Sequence, residues 1–276
     1  MTCLNLHQLK VWIPLLGLCL LMACSKEDDT PIARINLESF SPEDQSTIGQ
    51  TLAETVVNDA ANFPQLNLAN PNDQAVLENY LNRLIQTVAI TAPVANRNFY
   101  NWEITIVHDD EDRNLFATPG GHFFIYTGLL KFLESESELI AILAHEMRYV
   151  DQNLLIEGLK SEFGGNTLGD IVLGKQISDI NNMALWLRDV SFSELDVLES
   201  DAFAIDVLCP FRYYIGGLKD VVQRVKDNTE ADVAWMDKRP SAINRLDEME
   251  VLLSNCGNFG GADFSDRYHE MLAKLP

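Results

Sequence analysis

The sequence predicts an α+β protein that is mostly helical, with one small antiparallel sheet packed on a central helix. Apolar residues recur at helical spacing along most of the chain, which is typical of helices that each bury one face. One short stretch, Trp102 to Val107, alternates apolar and polar residues as a half-buried strand does. With 47% hydrophobic and 22% charged residues, the 276-residue chain has enough apolar material for one globular domain.

The charge balance excludes one class of partner. Acidic residues outnumber basic residues by 41 to 20, which gives a formal net charge of -21. A surface of this sign repels nucleic acid and anionic lipid surfaces. We therefore expect no nucleic-acid partner, and the acidity is most simply that of a soluble surface.

The first residues have the composition of an export signal. Lys10 precedes an apolar run from Val11 to Ala23, which is too short to cross a bilayer but has the length of a signal-peptide core. The run ends in Leu21-Met22-Ala23-Cys24, which resembles a bacterial lipobox, where cleavage before the cysteine is followed by its lipidation. The alternative is an ordinary secretory signal with an incidental cysteine.

We therefore predict three segments: a lipoprotein signal peptide over residues 1–23, a lipid-anchored flexible tether over 24–42, and a folded domain over 43–276. The charged run Ser25 to Asp29 cannot pack and is typical of a tether. It also resembles the acidic signal that sends some lipoproteins to the cell surface. The expected location is the bacterial cell envelope, on the outer membrane, facing either the periplasm or the exterior.

Two cysteines remain inside the predicted domain. Cys3 and Cys19 would leave with the signal peptide, and Cys24 would carry the lipid. In an oxidising envelope Cys209 and Cys256 could form a disulfide, although two buried free thiols are an equal alternative.

Helices are predicted on both sides of the sheet, and the sheet itself is predicted to be a series of hairpins. The helices are expected at about 48–57, 75–89, 128–132, 135–153, 178–186 with Ser178 as its cap, 193–208, 214–225, 241–254 and 265–275. The strands are expected at 102–107, 115–117 and 122–126, joined by a charged turn over 109–113 and a glycine turn over 118–121. Glycines between 158 and 174 match no phosphate-binding loop and indicate turns and close helix packing.

The helix that starts after Ser135 carries the chemistry. A zinc peptidase helix contains the motif H-E-x-x-H, in which two histidines one turn apart face one metal and the glutamate lies beside the bound water. This chain has His145 and Glu146, but Tyr149 stands where the second histidine is expected. His145 and Tyr149 share one face of the helix because they are one turn apart.

The order of motifs resembles metallopeptidase family forty-eight, the gluzincin family of the HtpX, CAAX prenyl and BepA-like proteases. The resemblance is carried by Phe116 to His122, Thr127 to Leu130, Ser137 to Leu139, and Ala144 to Glu146, and it extends from about Ser41 to Leu253. It implies a zincin-like metallopeptidase fold, with the sheet packed on the active-site helix.

The resemblance also implies roles for individual residues. His145 would be a zinc ligand, and Glu146 would be the general base that takes a proton from zinc-bound water. Gly121, His122 and Phe123 would lie on an edge strand that pairs with the backbone of a polypeptide substrate.

Two of the three metal ligands implied by the family are replaced. Tyr149 occupies the second ligand position, and Val197 occupies the third, which is a glutamate in the family. Valine cannot bind zinc, and a tyrosine with its ordinary high pKa is a poor ligand. Asp201 matches the family aspartate that supports a liganding histidine, so His145 is expected to be held by Asp201.

Two further departures surround the same site. Arg148 places a permanent cation where the family usually has a small residue, beside the expected metal position. Near the end of the domain the family has a histidine and proline followed by an arginine, whereas this chain has Arg239-Pro240 and then Arg245.

A carboxylate elsewhere could replace the lost glutamate ligand. The candidates are Asp151, Glu194, Asp196 and Glu199. Helix geometry rotates Asp196 and Glu199 about 100° and 200° away from Val197, which leaves Glu194 as the better candidate on that helix.

Three functions remain open from the sequence. The first is an envelope lipoprotein, anchored to the membrane through lipidated Cys24, that has lost zinc, binds no other cofactor and binds polypeptide without cleaving it. The second is an active zinc metalloendopeptidase with altered ligands that takes part in envelope protein quality control, with Glu146 as base. The third is a passive lipoprotein that only retains the fold.

Overall fold

A three-stranded sheet and the helices around it form the part of the protein that the computed structural model describes, residues 35–228, 232–237, 242–256 and 261–276. The predicted signal peptide, Cys24 and Arg239-Pro240 lie outside these residues, so the predictions about them remain predictions. The helices are α1 (Pro42–Asn58), α2 (Pro71–Thr91), α3 (Thr127–Phe132), α4 (Glu136–Asp151), α5 (Leu154–Phe163), α6 (Gly165–Val172), α7 (Ile180–Asp189), α8 (Glu194–Leu208), α9 (Gly217–Asp227), α10 (Ala234–Asp237), α11 (Ala242–Cys256) and α12 (Ser265–Leu272).

The predicted fold class, α+β and mostly helical, is confirmed, but the sheet is mixed rather than wholly antiparallel. Strands β1 (Glu103–Val107), β2 (Leu115–Ala117) and β3 (His122–Tyr126) lie in the order β1-β3-β2. β3 pairs antiparallel with β2, as a hairpin should, and parallel with β1. The prediction of a hairpin over 109–113 was wrong because the chain between β1 and β2 passes the position that β3 later fills.

The same strand order corrects the prediction that Gly121, His122 and Phe123 lie at an edge. β3 is the central strand, and both of its backbone edges are paired. The outer edge of β1 is also occupied, since the amide of Leu66 donates to Ile106 and the amide of Ile104 donates to the side chain of Asn82. Of the three strands, β2 is therefore the one that borders the His145 site.

The ends of several helices follow directly from sequence. Ser41 and Asp44 form a capping box at the start of α1, and Ser135 accepts a hydrogen bond from the amide of Glu138 at the start of α4. The predicted Ser178 cap was wrong, because α7 begins at Ile180 with Asp179 at the N-cap position. The glycine-rich stretch contains two helices, α5 and α6, that local composition did not predict.

Helix α4 lies at the centre of the domain. All of its residues are buried except Arg148. It packs against α2, α5, α8, α9 and α12 and against strand β2. Because helices cover it on several sides, both its apolar stripe and the His145 face are enclosed.

Cys209 and Cys256 form a disulfide that joins the end of α8 to the end of α11. This decides between the two alternatives that the sequence left open. Within the residues that the structure describes, no helix has both the length and the apolarity needed to cross a bilayer.

Candidate functional site

Two adjacent helices present the side chains of the candidate site. α4 contributes His145, Glu146 and Tyr149, and α8 contributes Val197 and Asp201. α8 is held in place at its start by a capping box between Ser193 and Asp196. The spacing of four residues puts His145 and Tyr149 on one face of α4, as the sequence indicated.

His145 is held at both ring nitrogens. Its Nδ1 lies 2.8 Å from Asp201 Oδ1, and its Nε2 lies 2.8 Å from the hydroxyl of Tyr149. A carboxylate only accepts hydrogen bonds, so His145 Nδ1 donates one to Asp201. Nε2 of the neutral ring then accepts a hydrogen bond from the hydroxyl of Tyr149. Nε2, the nitrogen that would face a metal, is thus hydrogen-bonded to Tyr149.

Asp201 has a second partner, the guanidinium of Arg245. Arg245 donates to it through Nε at 2.7 Å and through Nη2 at 2.8 Å, and both side chains are almost completely buried. Burial alone would raise the pKa of Asp201, but the Arg245 guanidinium and the His145 contact outweigh it and hold that pKa below its ordinary value. The carboxylate is therefore ionised and its charge is neutralised locally.

Glu146 is occupied by an indole. Trp235 Nε1 donates to Glu146 Oε1 at 2.8 Å, and the Trp235 ring meets the His145 ring edge to face at 5.5 Å. Glu146 Oε1 is 4.0 Å from His145 Nε2. The carboxylate that the family uses as a base is thus the acceptor of a buried N–H, which lowers its availability to a water molecule.

Aromatic and apolar side chains close the remaining space. The ring of Phe192 stacks on Tyr149 at a centroid distance of 3.8 Å, and Val197 is completely buried. The cleft between β2, Glu146 and Phe192 holds only about 10 Å³ of space, which is about what one water molecule needs. An extended polypeptide cannot reach His145 in this arrangement.

These residues do not fit zinc. A catalytic zinc site needs three protein ligands and one open position. Here one imidazole nitrogen binds Tyr149, the third ligand position is a valine, and the access route is filled. Across the residues that the structure describes, no group of three or more His, Cys, Asp or Glu side chains is arranged to hold a metal ion.

The substitute ligands considered from sequence have other roles. The carboxylate of Asp151 accepts the amide of Ala95, and Asp196 caps α8. Glu194 accepts from Asn244 at the surface, and Glu199 is exposed. None of these four carboxylates contacts His145 among the described contacts.

Arg148 contacts a carboxylate of its own helix and an aromatic ring of α8. Its Nη1 lies 3.6 Å from Asp151 Oδ2, and its guanidinium lies over the ring of Phe203. The arginine that contacts the site is Arg245, for which the sequence indicated no partner.

The structure brings together His145, Glu146, Tyr149 and Asp201, and it keeps the β3 residues elsewhere. His122 lies 2.8 Å from the hydroxyl of Thr105 and stacks on Phe124. Gly121 contacts the indole of Trp102, where a side chain would collide. These positions do not contact the His145 site.

Sequence reasoning missed Trp235 and Phe192. Phe192 directly precedes the cap of α8, so its proximity to the lost ligand position could have been noticed. Trp235 lies 89 residues after Glu146 and carries no local pattern that indicates a partner. Its role is visible only from the fold.

A helical domain on a small mixed sheet, with a His-Glu pair on a buried helix and a supporting aspartate from a second helix, is the architecture of zinc metallopeptidases of the gluzincin type. The model of Peptidase family M48 matches residues 75–249, well over half of the chain. This protein belongs to peptidase family M48. Peptidases of this family generally depend on zinc.

Two curated relatives match over part of their length. The mitochondrial metalloendopeptidase OMA1 of Arabidopsis thaliana is 26% identical over 115 residues, which are 41% of this chain and 23% of the relative. The mitochondrial metalloendopeptidase OMA1 of Schizosaccharomyces pombe is 30% identical over 67 residues, which are 24% of this chain and 19% of the relative. The match thus spans less than a quarter of either relative's length.

Proposed function

We propose that this protein is an envelope lipoprotein whose M48 peptidase fold has lost zinc catalysis and binds polypeptide without cleaving it. The observation that carries the proposal is that the side chains around the expected metal position are hydrogen-bonded to one another and closely packed. His145 binds Tyr149 and Asp201, Glu146 binds Trp235, and Val197 occupies a ligand position.

The arrangement favours a lost site over a repaired one. A repaired site would bring a new carboxylate, imidazole or thiolate to His145 Nε2, and the group found there is a tyrosine hydroxyl stacked on Phe192. A working base would also face a space for water and substrate, whereas Glu146 is 4% exposed.

The envelope location is supported by two observations. The predicted signal peptide and lipobox end at Cys24, and Cys209 and Cys256 form a disulfide. Disulfides persist in exported proteins and are rare in the reducing cytosol. Anchoring through lipidated Cys24, on the outer membrane and facing the periplasm or the exterior, is part of this proposal.

Polypeptide binding needs a surface other than the one expected from sequence. β3 is paired on both sides, and the cleft beside β2 is nearly closed. The proposed partner is therefore bound elsewhere on the domain, by a mode that does not use the His145 site.

Metal analysis and a casein cleavage assay test the loss of catalysis. We expect the purified protein to bind no stoichiometric zinc, and its cleavage of casein to equal that of the Glu146→Gln variant. Stoichiometric zinc together with Glu146-dependent cleavage would establish the alternative, an active zinc metalloendopeptidase with altered ligands.

Binding and anchoring have separate measurements. Fluorescent casein should bind saturably, and a passive lipoprotein would show no saturation. The Cys24→Ala variant should move from the membrane fraction to the soluble fraction, while Cys19→Ala should stay with the membranes. If Cys24→Ala also stays with the membranes, the lipid anchor is wrong.

A further inference from the structure

A second cleft lies beside α1 and shares no lining residue with the His145 site. It has a volume of about 340 Å³ and is bounded by α1, the start of β1 and the turn before β3. This volume lies within the range of small-ligand sites in proteins. Its lining includes Glu54, Glu103, Thr118, His122 and an apolar wall formed by Ala53, Val57 and Pro119.

The wall of this cleft is rigid. α1 meets the turn at Gly49, where any side chain would overlap the carbonyl oxygen of Pro119. Gly120 in turn meets the backbone of Ser46, and its φ of 79° lies in the left-handed region that favours glycine. The two contacts fix the distance between helix and turn, so the cleft is a built feature of the fold.

Two carboxylates line the cleft, and no lysine or arginine is among its lining residues in the described part of the chain. Glu54 accepts from Gln50 through Oε1, and Glu103 accepts from Asn101 through Oε1. The second oxygen of each carboxylate has no hydrogen bond within the described residues. A cation would meet two carboxylates here and no lysine or arginine among the lining residues.

His122 does not supply a positive charge at neutral pH. Burial lowers its pKa, and the neighbouring Glu103 only partly offsets this effect. Its Nδ1 is 3.7 Å from Glu103 Oε2, so the neutral ring leaves the charge of Glu103 uncompensated. The cleft thus keeps its negative character above the pKa of His122.

Thr118 provides an independent sign of a ligand. It lines the cleft and is completely buried, and its hydroxyl has no hydrogen-bond partner within the described residues. A buried hydroxyl without a partner costs about 1–3 kcal/mol, so such groups usually have a bound partner.

We infer that this cleft binds an alkyl cation, a guanidinium or ammonium group at the end of an aliphatic chain. The cation lies between Glu54 and Glu103, the chain packs on Ala53, Val57 and Pro119, and Thr118 accepts a further N–H. In a polypeptide this group is the side chain of arginine or lysine, and in that form the inference rests on the proposed polypeptide binding. The same chemistry in a free amine would need no polypeptide.

Calorimetric titration of the full-length protein tests the site. The probes are N-acetylarginine amide and its uncharged counterpart N-acetylcitrulline amide, which has nearly the same shape. We expect saturable binding of the arginine probe, at least roughly tenfold tighter than that of the citrulline probe. Equal binding of the two probes, or no binding of either, overturns the inference.

Variants locate the binding. Glu54→Gln and Glu103→Gln should each weaken the arginine probe roughly fivefold or more. Glu43→Gln is the matched control, since it removes the same charge from an exposed position of α1 that does not line the cleft. Thr118→Val should weaken binding without unfolding the protein, because it removes a hydroxyl that has no partner. If the three cleft variants bind the arginine probe as tightly as Glu43→Gln and the unchanged protein do, the cleft is not the site.

A peptide pair separates the two sources of the cation. The peptide Ala-Ala-Arg-Ala-Ala should bind at least as tightly as the free probe, and its citrulline counterpart should not. Binding of the free probe alone assigns the site to a small amine and overturns the polypeptide source. None of these titrations uses zinc or cleavage, so their failure leaves the test of lost catalysis unaffected.

Discussion

At the scale of single residues, Asp201 has kept its position while its environment has changed. In the family resemblance this residue supports a histidine that binds metal. Here it holds His145 against Tyr149 and receives two hydrogen bonds from Arg245. The positive charge that balances Asp201 is therefore a guanidinium. This explains how a buried carboxylate stays ionised at a site whose residues do not fit a metal.

Arg245→Met should destabilise the protein strongly. The substitution keeps most of the side-chain volume but leaves Asp201 buried with its charge unbalanced, which typically costs about 3–5 kcal/mol of unfolding free energy. Urea denaturation followed by circular dichroism measures the loss.

Lys219→Met is the control for this prediction. Lys219 pairs with the exposed Glu250, and surface pairs contribute about 0–1 kcal/mol. If Arg245→Met costs no more than Lys219→Met, the buried pair is not what holds Asp201 in its charged form.

At the scale of elements, α1 meets the turn before β3 in a close backbone contact. Gly49 faces Pro119, and Gly120 faces Ser46, backbone to backbone. The contact sets the position of α1 over the sheet and builds the wall of the second cleft. Gly164 has a purely conformational role, because its φ is 86° and a Cβ added there would meet no neighbouring group within 4 Å.

The two kinds of glycine predict different responses to alanine. Gly49→Ala should cost several kcal/mol, because a methyl group there must displace the turn. Gly164→Ala should cost less, about 1–3 kcal/mol, because a φ of 86° with a ψ of 143° is a backbone conformation that is essentially restricted to glycine. Thermal unfolding of both variants checks the order, and a Gly49→Ala loss no larger than that of Gly164→Ala would contradict the close contact.

At the scale of the whole molecule, the disulfide ties together the two helices that supply Asp201 and Arg245. Cys209 directly follows the last residue of α8, and Cys256 is the last residue of α11. The two cysteines are 47 positions apart in the sequence. The cross-link limits the separation of these helices in the unfolded chain, and in the folded chain it supports the packing around Asp201.

Removing the disulfide should therefore lower the free energy of unfolding by about 2–4 kcal/mol. The double variant Cys209→Ser/Cys256→Ser and the wild type in reducing buffer should lose similar amounts in urea denaturation. An oxidised wild type that is no more stable than the double variant would show that the bond does not stabilise the domain.

Much of the helical framework could be predicted from the sequence, because helix caps and apolar spacing are local. Ser135 and Ser193 were placed at the starts of helices by their side-chain chemistry and by the acidic residues that follow, whereas the start of α1 after Ser41 was not predicted. The strand order could not be predicted in this way. β1 and β3 pair in parallel, with Glu103 opposite His122, and such pairing between strands that are not consecutive in the chain depends on which neighbours cover each strand edge.

The sequence by itself determined the family, the mostly helical fold and the residues at the expected ligand positions, because these depend on which residues stand in a motif. The tertiary structure alone decided which groups surround His145. Trp235, Phe192 and Arg245 reach the His145 site from segments distant in sequence, and only the packing of α4 against α8 and its neighbours shows that their side chains fill it. A motif shows that an expected residue is missing, because a motif is local. The group that occupies its place in the fold depends on contacts between segments that are distant in sequence.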